Sequence, residues 1–168
     1  MREHRLLVIS DSVMLSSAIG AKENVEDALI RRFEALTTVG VGLFQLREKT
    51  WSDGALLRVA EELVKHSDEG AVRVILNDRP DLVRLSHANG LHLPEHGWPI
   101  PEARAMLKRA THAVAIGRST HSVEAALRAE REGADYVIFG PIFETPSKAP
   151  YGAPQGLDAL RALTCLLY

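Results

Sequence analysis

The sequence predicts a parallel α/β protein, and within that class a (β/α) barrel rather than an open doubly wound sheet. Six short apolar runs alternate with helical patterns along the chain, as βα units do. Polar residues trail strands two, three, five and six alike, as at a barrel mouth, whereas an open sheet gathers its ligand groups at one switch point. No glycine-rich dinucleotide fingerprint follows the first strand.

Leu6 to Ser10 is a compact apolar run and reads as the first strand, and the stretch from Asp11 to Gly20, with Ser16 and Ser17, reads as a loop. Asn24 starts a helix whose Val25, Ala28, Leu29, Phe33 and Leu36 form one apolar stripe, leaving Glu26, Arg31, Arg32 and Glu34 on a solvated face. Gly42 to Glu48 is the second strand. Residues two apart in a strand point the same way, so Gln45, Arg47 and Lys49 should line one surface at its end. Ser52 or Asp53 caps the next helix, with Leu56, Ala60, Leu63 and Val64 inward, ending before Gly70. Arg73 to Leu76 is the third strand and delivers Asn77 and Asp78. Pro80 and Asp81 then open a short helix, Pro being tolerated in a first turn where its missing N–H would be unpaired anyway.

Gly90 to Leu93 is the fourth strand, followed by turn residues from Pro94 to Gly97 and a helix opened by Pro101 that contains Ala103, Met106 and Leu107. The most informative stretch is Ala113 to Lys148. Its first apolar run, Ala113 to Gly117, ends in Arg118, Ser119 and His121, and its second, Tyr136 to Phe143, ends in Glu144, Thr145 and Lys148. Between them Ser122 caps a helix with Val123, Ala126 and Leu127 at helical spacing, and Gly133 supplies a left-handed stop. Two near-continuous apolar strands joined by such a helix read as a parallel unit buried on both faces. Gly152 to Gly156 is a loop, and Leu157 to Leu167 a last helix with Leu160 and Leu163 inward.

With 168 residues, 46% hydrophobic and 25% charged, the chain can bury a core of its own and is read as a single domain spanning 1–168. A net charge of −2 with dispersed Lys and Arg offers no basic stripe for a phosphate backbone, so nucleic acid is not an expected partner. The lone Cys165 excludes an intrachain disulfide and a cysteine-rich metal site. No apolar run is long enough for a membrane span or signal peptide, so no membrane partner is expected and the expected location is cytoplasmic.

Gln45, Arg47, Lys49, Asn77 and Lys148 all fall at expected strand ends, so cations and amides are expected to converge on an anionic group such as a phosphate or diphosphate. The plainer alternative is a salt-bridged rim around Glu48, Asp78 and Glu144. His92, His96 and His112 follow no zinc-ligand spacing and are assigned no ligand role.

The motifs QLREK at 45–49, ILNDR at 75–79, HLP at 92–94, IGRSTHS at 116–122 and GADYVIFGPIFETPSK at 133–148 stand in the order and spacing of one superfamily. On them the chain resembles the thiamine phosphate synthase and thiazole tautomerase superfamily over nearly its whole length. The resemblance implies a TIM barrel and a role in thiamine biosynthesis through one of two activities. The synthase joins an aminopyrimidine diphosphate to thiazole phosphate with Mg²⁺; the tautomerase aromatises a thiazole carboxylate phosphate with no cofactor. For the synthase, the resemblance places Gln45, Arg47, Lys49, Asn77 and Lys148 around the diphosphate and Asp78 on the metal. A second metal carboxylate usually follows strand four, where this chain has Gly97, with Glu95 at a different position.

The HLPE and IGRSTHS forms, with Arg118 before Ser119, resemble the tautomerase branch more closely, and they imply His121 as its acid/base group with Arg118 and Ser119 among the phosphate-binding residues. An imidazole suits that work because it exchanges protons near neutral pH in both directions. A metal-independent thiazole tautomerase, an isomerase, is therefore the leading expectation, with the Mg²⁺-dependent synthase as the alternative. A full barrel needs eight strands and about 200 to 250 residues. Six are read here, so the fold is expected to be an incomplete TIM barrel, C-terminally truncated to about six βα units. Such a remnant raises a further alternative, an inactive paralogue that binds phosphorylated ligands. A small phosphorylated thiazole is the expected partner in every case, joined by the aminopyrimidine diphosphate for the synthase, and a homo-oligomer would be one way to cover open strand edges.

Overall fold

A computed structural model describes residues 6–20, 23–68, 72–108, 110, 112–145 and 153–167. Its elements are β1 (Leu7–Ile9), α1 (Ser12–Ala18), α2 (Val25–Thr38), β2 (Leu43–Leu46), α3 (Asp53–Asp68), β3 (Arg73–Asn77), α4 (Pro80–Ser86), β4 (Gly90–Leu93), α5 (Ile100–Leu107), β5 (Ala115–Thr120), α6 (Val123–Arg131), β6 (Tyr136–Phe139) and α7 (Gly156–Leu167). This is the expected parallel α/β alternation. The chain forms two compact units, one of residues 1–91 with 109–114, the other of 92–108 with 115–168.

In the first unit β1, β2 and β3 pair in parallel and in chain order, with Leu7 opposite Leu43 and Gln45 opposite Ile75, and the order continues into β4. Asn89 ties β3 to the start of β4 by bonding Val74 twice, its N–H donating to the Val74 carbonyl and its side-chain oxygen accepting the Val74 N–H, both at 2.9 Å. Phe33 from α2, fully buried, meets Phe44 of β2 edge to face at 5.1 Å, the geometry favoured by the ring quadrupoles. Val59, Ala60 and Leu63 of α3 join this core. Asn24 caps α2 by accepting the Glu26 N–H, and Ser52 rather than Asp53 caps α3, its hydroxyl accepting from Ala55.

In the second unit β4 leads to β5 and β6, with Gly117 opposite Tyr136 and Ser119 opposite Ile138 in a parallel ladder. Ser122 caps α6 through the Ala125 N–H, and Gly133, at φ +94°, makes the left-handed exit that a side chain would resist. Ala125, Ala126 and Ala129 are the buried face of α6, small enough for the helix to lie close on β5 and β6.

Beyond shifts of one residue at element ends, four elements differ from expectation. The stretch 12–18, expected as loop, is α1, because Asp11 accepts both the Val13 and Met14 N–H groups and so nucleates a turn despite the serines. β2 ends at Leu46 and not Glu48, because the Arg47 N–H turns to the Ser10 hydroxyl. β5 begins and ends later than expected, at Ala115 and Thr120, and its Arg118 and Ser119 find the partners described below. β6 ends at Phe139: Gly140 still donates to the Thr120 carbonyl, but Pro141 has no N–H to continue the ladder.

Candidate active site

The first unit brings together the ends of β1, β2 and β3. Gln45 faces the same side as Ile75 opposite it, and Asn77 lies two residues further along that side, so the two amides meet: Gln45 Nε2 donates to Asn77 Oδ1 at 2.9 Å. Gln45 is 1% exposed, and its own oxygen has no hydrogen bond among the described residues. The loop after β1 is stapled to the loop after β2 from both sides. The Ser12 N–H donates to Glu48 Oε2 at 3.1 Å, and the Arg47 N–H to Ser10 Oγ at 2.9 Å.

Among the described residues Glu48 thus bonds a backbone amide and pairs with no cation, against its place in the salt-bridged-rim alternative. Gln45, Arg47 and Lys49 do not share one strand face, because β2 has ended before Arg47; Arg47 is half-buried and Lys49 exposed in the turn that follows. Asp78 follows Asn77 in the left-handed region, φ +56°, which a short polar side chain tolerates better than most. Next to it Arg79 donates to Asp53, and at 2.9 and 2.7 Å to the two oxygens of Asp81, holding the Asp81 carboxyl below its ordinary range.

In the second unit β5 supplies Arg118 and Ser119, and His121 follows its end; the three do three different things. The Arg118 guanidinium, 6% exposed, donates to the carbonyls of Pro94 at 2.8 Å, Glu95 at 3.1 Å and Trp98 at 2.5 Å, and so clamps the loop after β4. That loop presents Glu95, whose Oε2 lies 2.5 Å from His121 Nδ1. Burial pushes the Glu95 carboxyl up, but the hydrogen bond and charge of His121 outweigh it and hold it below its ordinary range. Ser119 Oγ lies 2.8 Å from Nε2 of His92, a buried imidazole whose Nδ1 is 3.2 Å from the Tyr136 hydroxyl. Tyr136 is pushed well up from its ordinary value, first by burial and then by the charge of Asp135.

The Tyr136 ring lies directly over Gly117, where a Cβ would stand 2.0 Å from the ring's Cζ. Lys148 lies outside the described residues. Sequence reasoning missed Tyr136 and left His92 without a role, because a tyrosine at the head of an apolar strand and a histidine within one both read as core. The close pairing of Gly117 with Tyr136 was the available signal.

Among the described residues no three of His, Cys, Asp and Glu come together as a metal site. Mg²⁺ is commonly held by one or two carboxylates with the remaining positions taken by water and substrate phosphates, so a single hard oxygen donor such as Asp78, placed after β3, fits a metal that arrives with a diphosphate. Among the described residues no helix is long and apolar enough to cross a membrane.

The sequence model of the family described as thiamine monophosphate synthase matches residues 6–166. Thiamine-phosphate synthase of Synechococcus sp. WH7803 is 40% identical over 94% of this chain and 41% of its own length. The enzyme of that name from Methanocella arvoryzae is 43% identical over 71% of this chain and 55% of its own, and that from Thermus thermophilus 40% identical over 80% and 63%. The chain therefore spans about 41% to 63% of the length of these relatives. Among solved structures, thiamine phosphate pyrophosphorylase from Pyrococcus furiosus superposes with a TM-score of 0.74 at 26% identity, over 95% of this chain and 69% of that one. A type I 3-dehydroquinate dehydratase from Clostridium difficile shares the fold, with a TM-score of 0.61 at 17% identity.

These findings overturn the leading expectation of a thiazole tautomerase, an isomerase. The relatives at about 40% identity are named synthases, a transferase activity. The motifs HLPE and IGRSTHS, on which the tautomerase branch was preferred, do not outweigh that. In this structure the residues concerned hold one another, Arg118 on the HLPE loop and His121 on its Glu95.

Proposed function

The chain belongs to the thiamine monophosphate synthase family, and from that premise we propose that it is a thiamine-phosphate synthase with a TIM-barrel-like fold, joining an aminopyrimidine diphosphate to thiazole phosphate with Mg²⁺. What carries the reading is the identity of 40% over 94% of the chain with a relative of that name. In the reaction the diphosphate leaves with the electron pair of its C–O bond, and the thiazole nitrogen supplies the pair of the new C–N bond. Catalysis of this kind rests on holding a polyanionic leaving group and stabilising the charge that grows on it.

In the first unit the residues proposed for that work are Arg47 and Lys49 as cations and Gln45 and Asn77 as a bonded amide pair, Asn77 spending its oxygen on Gln45 and so turning its NH₂ outward. Asp78 would hold Mg²⁺, which when bound neutralises charge on the diphosphate. In the second unit Ser119 is proposed as a hydroxyl donor to phosphate and Lys148 as a further cation. Arg118 enters as the clamp of the loop after β4, and His121 as the partner that orients Glu95.

The test is to incubate the protein with both substrates and Mg²⁺ and follow thiamine phosphate by chromatography, with an EDTA control. Metal-dependent product is expected. Absence of product at saturating substrates would sink the reading, and pyrophosphate binding without turnover would leave a phosphate-ligand-binding protein.

A further inference from the structure

The strongest unassigned feature is the hydrogen-bonded chain Tyr136, His92, Ser119 in the second unit, centred on the buried His92. We propose that Tyr136 and His92 are positioning residues that fix the hydroxyl of Ser119 as an outward hydrogen-bond donor, by holding His92 in the tautomer protonated on Nε2. The ligand side of this inference rests on the synthase reading, since it takes the acceptor to be a phosphate oxygen.

The argument runs from the outer end inward. Tyr136 is half-buried, and its burial raises the pKa of the phenol and favours the protonated form. Among the described residues the acceptor within reach of that O–H is His92 Nδ1 at 3.2 Å. If Nδ1 accepts, the imidazole carries its single proton on Nε2. Nε2 then donates to Ser119 Oγ at 2.8 Å. A serine hydroxyl whose lone pair is already occupied keeps its own O–H free, and Ser119 is half-buried, so that O–H is available to an anion.

The opposite polarity suits neither end: Nδ1–H donating to tyrosine would leave the phenolic proton without its acceptor among the described residues, and Ser119 would donate inward and offer an anion only lone pairs. Gly117 makes the arrangement possible, since the Tyr136 ring occupies the space a Cβ would take and stacks at 5.7 Å on His92.

The experiment uses the full chain with ¹⁵N-labelled histidine. Long-range ¹H–¹⁵N spectra of the unsubstituted protein should show the His92 proton on Nε2, and Tyr136→Phe, which keeps the ring, should shift it toward Nδ1. A proton on Nδ1 in the unsubstituted protein overturns the proposal without recourse to any variant. Calorimetric titration with pyrophosphate and Mg²⁺ should show Tyr136→Phe weakening binding about tenfold, the effect of one hydrogen bond to a charged acceptor, and having no effect when Ser119 is already alanine. An equal effect in both backgrounds means that Tyr136 does not act through Ser119 and also overturns it. If the unsubstituted protein binds no pyrophosphate, the synthase reading and the ligand side of this inference fall together, while the spectra still decide the tautomer.

Discussion

The loops after β2 and after β4 are both held in place by hydrogen bonds, but differ in whether a cationic side chain does the holding. After β2 the bonds run from the Ser12 N–H to the Glu48 carboxylate and from the Arg47 N–H to the Ser10 hydroxyl. The Arg47 and Lys49 side chains take no part in it, and among the described residues neither forms an ion pair. After β4 the framework is made by side chains. Arg118 holds three carbonyls, and Glu95 is held by His121. A loop held without its cations leaves them for a ligand, whereas the loop after β4 is held by a cation, Arg118, that is occupied in holding it. Substitution should therefore separate activity from stability in the first region and not in the second.

The largest expected effect tests the first half of that contrast. On the proposed synthase reading, Arg47→Ala and Lys49→Ala should each lower kcat/KM for thiamine phosphate formation on the order of 10²- to 10³-fold, as the loss of a charge-stabilising donor does. Their urea unfolding midpoints should stay within error of the unsubstituted protein; a matching loss of stability would erase the distinction. Arg118→Ala tests the other half and should lower stability by about 3 kcal/mol in the same titration, because three carbonyls lose a charged donor that is itself buried. Unchanged stability there would mean that the clamp holds nothing.

Gly117→Ala forces the Tyr136 ring aside and should destabilise by about 1 to 3 kcal/mol, with a change in near-ultraviolet circular dichroism as the tyrosine moves. A local control comes next: Asn24→Ala and Ser122→Ala remove helix caps in the first and second regions, and each should lose about 1 kcal/mol. Unequal losses would show that the contrast reaches beyond the site loops. The smallest effect is with pH. The Glu95 carboxyl is depressed when folded, so its contribution to stability is present above the ordinary carboxylate range and is lost as pH falls through the lower folded value. Urea titrations between pH 6 and 3 should show less acid loss in Glu95→Gln than in the unsubstituted protein.

The elements legible in the sequence were those whose own residues decide them. β4 fell at Gly90–Leu93 as expected, α4 opened at Pro80, and Asn24, Ser122 and Gly133 marked their helix ends. What was not legible depended on partners distant in sequence. α1 was masked by serines, two of which bond back to its own backbone carbonyls. Arg118 and Thr120 sit in a strand and are buried, which polarity alone argues against. Among the expected site residues, the Gln45 and Asn77 pair follows from register, but the alternation of Gln45, Arg47 and Lys49 required a strand that a serine thirty-seven residues away had already ended.

The ring of Tyr136 over Gly117 also limits which descendants this sequence can have. Any side chain acquired at 117 evicts the ring, and with it the hydroxyl that faces His92. A smaller residue at 136 would reopen the space but leave Nδ1 without its neighbour. No single replacement at 117 preserves both the packing and the hydrogen bond, so positions 92, 117 and 136 should change together or not at all. The aligned relatives can be searched for that joint pattern, which would be visible as a correlation among columns even where no one of them is invariant.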